Sequence, residues 1–341
     1  MSIHRNSAIA FLAAILAPFL LGVPAVAFVT DPPPTAAGSE LPAEAAVKPV
    51  EVVRTGDYTE GVVVDHEGNL YFSHEKIVTK VSPDGRATTW AETGAPNGHK
   101  VLADGTHLIC DAKRHAVLHL DARGRELPPA AIESDGRRLR GPNDLTLDPT
   151  TGGVYFTDPA SSDENTPDGS VHYIDARGAC HTVAAGLAFP NGIVIRPGGK
   201  ELLVAESKRN RILAFPVTGP GRLGEPRVLI DLPAKGAGQI DNQPDGIALD
   251  AAGNLYVAHY GMRQVQVVSP EGRLIRRYPG GNLTTSNVAF AGPAMDRLYV
   301  TGGDPGALFR IDLPGVRGLT ILPPQRPDAR GDGGATAAER K

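Results

Sequence analysis

Six polar residues recur at matching places in a repeated pattern along this chain: Glu60, Asn97, Asn143, Asn191, Asp245 and Asn287. Each opens an apolar run rich in β-branched residues, and each carries a side-chain oxygen able to accept a hydrogen bond or bind a hard cation. Two are carboxylates and none is Lys or Arg. Taken singly, an Asn-Gly or Asp-Gly pair is explained by turn chemistry, since these residues tolerate left-handed backbone. The set of six asks for more. Brought to one point they would offer, with waters, roughly six to eight hard oxygen ligands, a cage that suits Ca²⁺ better than soft metals or bare Mg²⁺. No Cys or His cluster competes for zinc there.

What could bring six such residues together is the repeat itself. Each copy holds the polar residue, an apolar strand, a tight turn, a second strand, then a third closing on another turn. The copies start 37, 46, 48, 54 and 42 residues apart. Period-two alternation at that spacing fits a four-stranded propeller blade and no helical solenoid. The fold expected is all-β: a six-bladed β-propeller with four-stranded blades around a central channel, spanning residues 50–320. Residues 50–54 are placed to supply the outer strand of the sixth blade, closing the ring and covering strand edges that would otherwise template aggregation. The innermost strands line the channel, so their opening residues crowd one mouth. Turn chemistry fully explains the Asp/Gly pairs between first and second strands, such as Asp65 to Gly68 and Asp250 to Gly253.

Five motifs carry a resemblance: EGVVVD from Glu60, GPNDLTLDP with VYFTDP from Gly141, FPNGIVI from Phe189, PDGIALDAAGNLYVA from Pro244 and NVAFAGPAMDRLYVT from Asn287. In this order and at blade spacing they resemble the blade openings of the gluconolactonase/regucalcin (senescence-marker-protein) family, over residues 50–312. The resemblance implies a six-bladed propeller with one divalent cation on its axis, hydrolysing the ester bond of lactones. It implies Glu60, Asn191 and Asp245 as metal ligands, Asn143 as a contact to metal or substrate, and Asp245 as the catalytic carboxylate. Ca²⁺ is the cation expected, with Zn²⁺, Mn²⁺ and Mg²⁺ as alternatives. Asp245 would take a proton from the attacking water and stay ionised as a ligand. Asn97, Asn143 and Asn287 would orient substrate hydroxyls, since amides both donate and accept. His99, two residues after Asn97, is placed to share that mouth as a proton shuttle or to cap a strand. Two departures stand out. Val62 replaces the family's usual Pro, and the loop 160–168 is particular to this chain and could overhang a mouth of the channel.

The remaining residues narrow the chemistry. No Gly-x-Ser-x-Gly elbow is present, which disfavours a serine hydrolase. No Gly-rich phosphate loop or dinucleotide fingerprint occurs. His259 and Tyr260 read as structural, and Asp158 as a turn residue rather than a second ion site. A rival reading is a non-catalytic extracytoplasmic propeller that binds protein or carbohydrate around a structural ion; the unequal ring of Glu, Asn and Asp leans against it. A third is a strictosidine-synthase-like relative. Low aromatic content, 5%, hints against a broad apolar pocket.

Composition sets the compartment. Of 341 residues 41% are hydrophobic and 21% charged, with 40 Gly and 30 Pro, ordinary for a soluble all-β chain. Residues 1–27 read as a signal peptide: His4 and Arg5, an apolar run over 8–21, then Ala25-Val26-Ala27. An uncleaved N-terminal anchor is the alternative; either implies export to the periplasm or outside. Loss of residues 1–27 leaves a net charge of −5. A mildly acidic chain without basic runs is a poor nucleic-acid binder, so the partner expected is a small-molecule lactone, with no nucleic acid, no membrane after cleavage and a monomeric state. Residues 28–49 read as a Pro/Ala-rich linker and 321–341 as a disordered tail. Cys110 and Cys180 are expected unpaired.

Overall fold

A computed structural model of the chain describes residues 40–234, 236 and 240–319. The segments read as signal peptide and C-terminal tail, and most of that read as linker, lie outside the described residues. Among those described, six antiparallel sheets follow one another along the chain, five of four strands and the fourth of five. The innermost strands are Thr59–Val64, Pro96–Val101, Leu145–Leu147, Pro190–Ile195, Gln243–Leu249 and Thr284–Ala291. Each touches the innermost strand of the next blade, and the sixth touches the first, so the ring closes around a central channel. The blade count agrees with the repeat.

The closure uses both ends of the fold. Pro49–Arg54 pairs antiparallel with Ala307–Asp312, Pro49 opposite Ile311 and Arg54 opposite Ala307, and forms the outer strand of the sixth blade. The segment just before it differs from the linker reading. Val47 is buried, the Tyr278 hydroxyl donates to the carbonyl of Pro42 at 2.9 Å, and Glu44 accepts from the backbone N–H of Arg277 at 2.8 Å. Residues 41–47 are thus packed against the fifth blade, because Leu41 and Val47 have apolar surface there to cover.

The core is divided into six layers, one between each pair of neighbouring blades. Tyr71 and Val78 of blade one meet Ile109 and Leu118 of blade two. Tyr155 and Tyr173 of blade three meet Ile193 and Phe215 of blade four. Tyr256 and Val267 of blade five meet Phe290 and Val300 of blade six. Strand alternation explains the arrangement, since both faces of an interior blade are covered and only its outer strand meets water on an edge. Each fully buried Leu, Val or Phe stabilises the ring by about 1.5–3 kcal/mol. Cys110 and Cys180 pack in the same layer, between blades two and three, and both are free thiols.

The channel is unequal at its two ends. Away from the ring residues it widens into a cavity of about 820 Å³ lined by Val62, Leu147, Ile193, Ile247, Val288 and Leu319. The low aromatic content therefore did not preclude an apolar cavity; its walls are mainly aliphatic.

Candidate metal centre

A backbone irregularity aims the ring residues. In five blades the pairing between first and second strand slips by one residue where the ring residue sits: between Glu60 and Val63, Pro96 and His99, Pro190 and Ile193, Pro244 and Ile247, and Thr285 and Val288. In each, two residues on the inner strand oppose one on its partner, which defines a β-bulge, and a bulge re-aims a side chain out of the sheet's alternation. In blade three the inner strand begins only at Leu145, just after Asn143 and Asp144. Val62, where the resembling family has Pro, lies buried within the first bulge and leaves it like the others.

Glycine at the next position lets the blades meet. A Cβ on Gly61, which has φ +55°, would strike the carbonyl of Asn97, and one on Gly192 would strike the carbonyl of Asp245. Hydroxyl groups then tie neighbouring blades at this level. Thr157 donates to the carbonyl of Asn191 at 2.8 Å, and Ser286 donates to that of Thr59 at 2.7 Å. The ring is therefore fixed by backbone packing rather than by long, free side chains.

Glu60, Asn191, Asp245 and Asn287 are buried, and Asn97 and Asn143 are half-buried. Glu60 and Asp245, from blades one and five, are spanned by Tyr58: its hydroxyl lies 3.2 Å from Glu60 Oε1 and 3.4 Å from Asp245 Oδ2. The Tyr58 ring is 42% exposed, its centroid 6.4 Å from that of Tyr260. Asn191 lies beside Asp245 and Asn287 beside Glu60, each amide lowering the pKa of its carboxylate. Asn287 Oδ1 accepts from the Val288 N–H at 2.8 Å, so its NH₂ faces Glu60. Asn287 is thereby placed to hold Glu60 more than to meet a substrate.

A third carboxylate completes the set. Asp144 is buried, accepts from the Leu145 N–H at 2.8 Å, and has Lys100 Nζ at 3.9 Å from its Oδ1. Burial pushes the Glu60 carboxyl up to about 8, with the charge of Asp144 adding to the effect and the Gly61 N–H easing it. Burial, then Glu60, then Asp144 hold Asp245 far above the ordinary carboxylate range. Burial also raises Asp144, against the pull of Lys100. The ionised Asp245 expected from the sequence thus needs a compensating positive charge. One further atom asks for a partner: Asn143 Oδ1 is buried with no hydrogen bond. Repelling buried carboxylates, an orphaned amide oxygen and an all-oxygen donor set fit a hard divalent cation. Among the described residues no three His, Cys, Asp or Glu side chains suffice alone to hold one, so the amide oxygens are required.

Over residues 58–304 the chain matches the model of the SMP-30/gluconolactonase/LRE-like region. The chain belongs to this family. It is 28% identical to the gluconolactonase of Zymomonas mobilis over 275 residues, covering 71% of this chain and 76% of that protein. It is 26% identical to the diisopropyl-fluorophosphatase of Loligo vulgaris over 286 residues, covering 74% of this chain and 88% of the other. The solved structure of a gluconolactonase from Xanthomonas campestris superposes with a TM-score of 0.69 at 25% identity, covering 80% of this chain and 91% of that one.

Within this SMP-30/gluconolactonase-like fold, several expectations are redirected. His99 stands apart from the centre. It is fully buried between blades one and two, its Nε2 2.8 Å from His107 Nδ1 and its ring stacked near Trp90. Alternation would point residues 97 and 99 the same way, but the bulge between Pro96 and His99 inserts one residue and reverses the parity. Asp158 accepts from the Arg140 and Gly141 N–H groups at 2.7 and 2.8 Å, bracing a loop as expected. His259 is buried against Asn210. The 160–168 loop is held at the rim between blades three and four, with the Phe189 N–H donating to Ser162 Oγ at 2.9 Å and Arg140 paired with Asp168 at 2.9 Å.

Tyr58, Asp144 and Lys100 are the residues that sequence reasoning missed. Asp144 had a signal. The position after the ring residue is Gly in blades one, two, four and five but Asp in blade three. Tyr58 and Lys100 had none, since neither stands at a repeated position.

Proposed function

We propose that this protein is a metal-dependent lactonase, opening cyclic esters of the sugar-lactone type at the Glu60–Asn143–Asn191–Asp245 centre. The observation that carries the reading is the pairing of Glu60 with Asp245 under one tyrosine hydroxyl, beside the orphaned Asn143 oxygen. Glu60, Asn143, Asn191 and Asp245 would hold the cation, Ca²⁺ by the hardness of the donor set. When bound, it supplies Lewis acidity toward an ester carbonyl and the positive charge that keeps these carboxylates ionised. Asp245 then accepts the proton of the attacking water on its carboxylate, and passes it to the alkoxide released as the ring opens. Asn191 and Tyr58 fix the orientation of that carboxylate. Half-buried Asn97 stands at the same level as a partner for substrate hydroxyls. The names of the gluconolactonase relatives support the reaction class, and the unequal ring weighs against a purely structural ion.

Export through residues 1–27 and a monomeric state belong to the same proposal. N-terminal sequencing of secreted protein and its elution volume check them.

Hydrolysis of five- and six-membered aldonolactones and aliphatic lactones, followed by pH-stat with chelator and with Ca²⁺ or Zn²⁺ restored, tests the reaction. Chelator-sensitive turnover recovered by one metal is expected. Turnover indifferent to chelation would overturn the metal-dependent reading.

A further inference from the structure

Three carboxylates at the blade openings are buried: Glu60 and Asp245, spanned by the Tyr58 hydroxyl, and Asp144. Asp144 is not among the expected ligands, yet its charge bears on both of the others. It lies against Gly98, where a Cβ would strike the Asp144 side chain and Cα. Its Oδ1 is spent on the Leu145 N–H at 2.8 Å. Among the described residues the ion pair that joins any of the three is Lys100–Asp144, at 3.9 Å. Lys100 comes up from the apolar end of the channel, among the residues lining its cavity, with its side chain 30% exposed and Nζ also donating to the His99 carbonyl at 3.2 Å.

A buried group of charges is stable only when compensated. Three carboxylates and one ammonium leave two negative charges, the amount one divalent cation neutralises. We infer that Lys100 acts through Asp144 to set the charge of the cation this centre accepts, favouring a divalent over a trivalent ion. Lys100 is a positioning residue here: it touches neither metal nor substrate. The inference rests on the ring being a cation centre, as proposed above.

Coulomb's law gives the inference its test. Removing a fixed positive charge tightens a cation in proportion to that cation's own charge, so a trivalent ion gains more than a divalent one. Ca²⁺ and Tb³⁺ affinities are measured by calorimetry on chelator-stripped full-length protein. Lys100→Met should tighten both ions and raise the Tb³⁺/Ca²⁺ affinity ratio by on the order of tenfold. Asp144→Asn should weaken both and lower the ratio. The double variant restores the net charge, and its ratio should return to within about threefold of wild type, which loss of packing alone would not produce. An unchanged ratio in Lys100→Met with intact near-UV dichroism overturns the role of Lys100 while leaving the centre standing. Failure of wild type to bind either ion overturns the centre itself.

Discussion

Glu60 and Asp245 have been taken out of water next to one another, and their protonation must follow. A carboxyl displaced upward, from 4.5 to about 8 for Glu60, is bound to its proton more tightly in the folded chain than in the unfolded one. Chelated protein should therefore lose stability as pH rises through that window, each unit of displacement being worth about 1.4 kcal/mol. Saturating Ca²⁺ should flatten the trend and release protons on binding. Melting curves across pH 6.5 to 8, above the window in which the buried His107 titrates, with and without metal, check the first; calorimetry in buffers of different ionisation enthalpy checks the second. A chelated protein whose melting point climbs over the same range would contradict both. Asp245→Asn should lower kcat/KM on a lactone by roughly 10²- to 10⁴-fold, the usual worth of a proton-accepting group. Tyr58→Phe should have a smaller effect, since it removes one donor and leaves the ring.

At this scale the sequence was readable wherever a residue stood in a repeat. Glu60, Asn143, Asn191 and Asp245 could be read because each opens a blade. Asp144 lies inside the Asn-Asp-Leu motif, where only the missing glycine sets it apart from the openings of blades one, two, four and five. Lys100 became meaningful only through an interblade contact with Asp144, which no local pattern encodes.

The element that decides the centre is the bulged inner strand. Gly61→Ala should destabilise the protein by about 2–4 kcal/mol, from the positive φ together with the collision at the Asn97 carbonyl. Gly68→Ala, at φ +83° in an open turn, serves as the control and should cost less. Denaturant unfolding separates the two. The same bulge in blade two sends His99 into the layer with His107, Tyr71 and Trp90. Burial holds His107 down to about 4 and His99 lower than the ordinary His range of 6.5. Imidazoles kept neutral support the fold above that range and withdraw support as pH falls from about 6.5 towards 4. A His107→Phe variant should show a shallower loss of melting temperature across this acid window. An unaltered slope would show that the pair does not govern acid unfolding. Bulges are invisible to period-two reading, because the alternation on either side of them looks intact; that is why the ring was anticipated and the direction of His99 was not.

Across the whole molecule, six similar interblade layers share the stabilisation, so no single layer is the core. Blade number and the velcro-like use of residues 50–54 could be read from repeat count alone. The packing of residues 41–47 could not, because a short Pro/Ala-rich stretch carries no periodicity to betray the apolar contacts of Leu41 and Val47. Deleting residues through 54 should leave Ala307–Asp312 as a bare edge. Size-exclusion chromatography should then find oligomers where the full chain elutes as one species.

That seam between Pro49–Arg54 and Ala307–Asp312 also has a consequence in time. The strand that leaves the ribosome first must wait for a partner made about 250 residues later, roughly 12–50 s at ordinary rates of synthesis. Blades one to five can assemble as they emerge, whereas the ring stays unlatched until translation has passed residue 312. The molecule has a built-in delay between being synthesised and being finished, and anything that must handle it as an open chain has that interval in which to act.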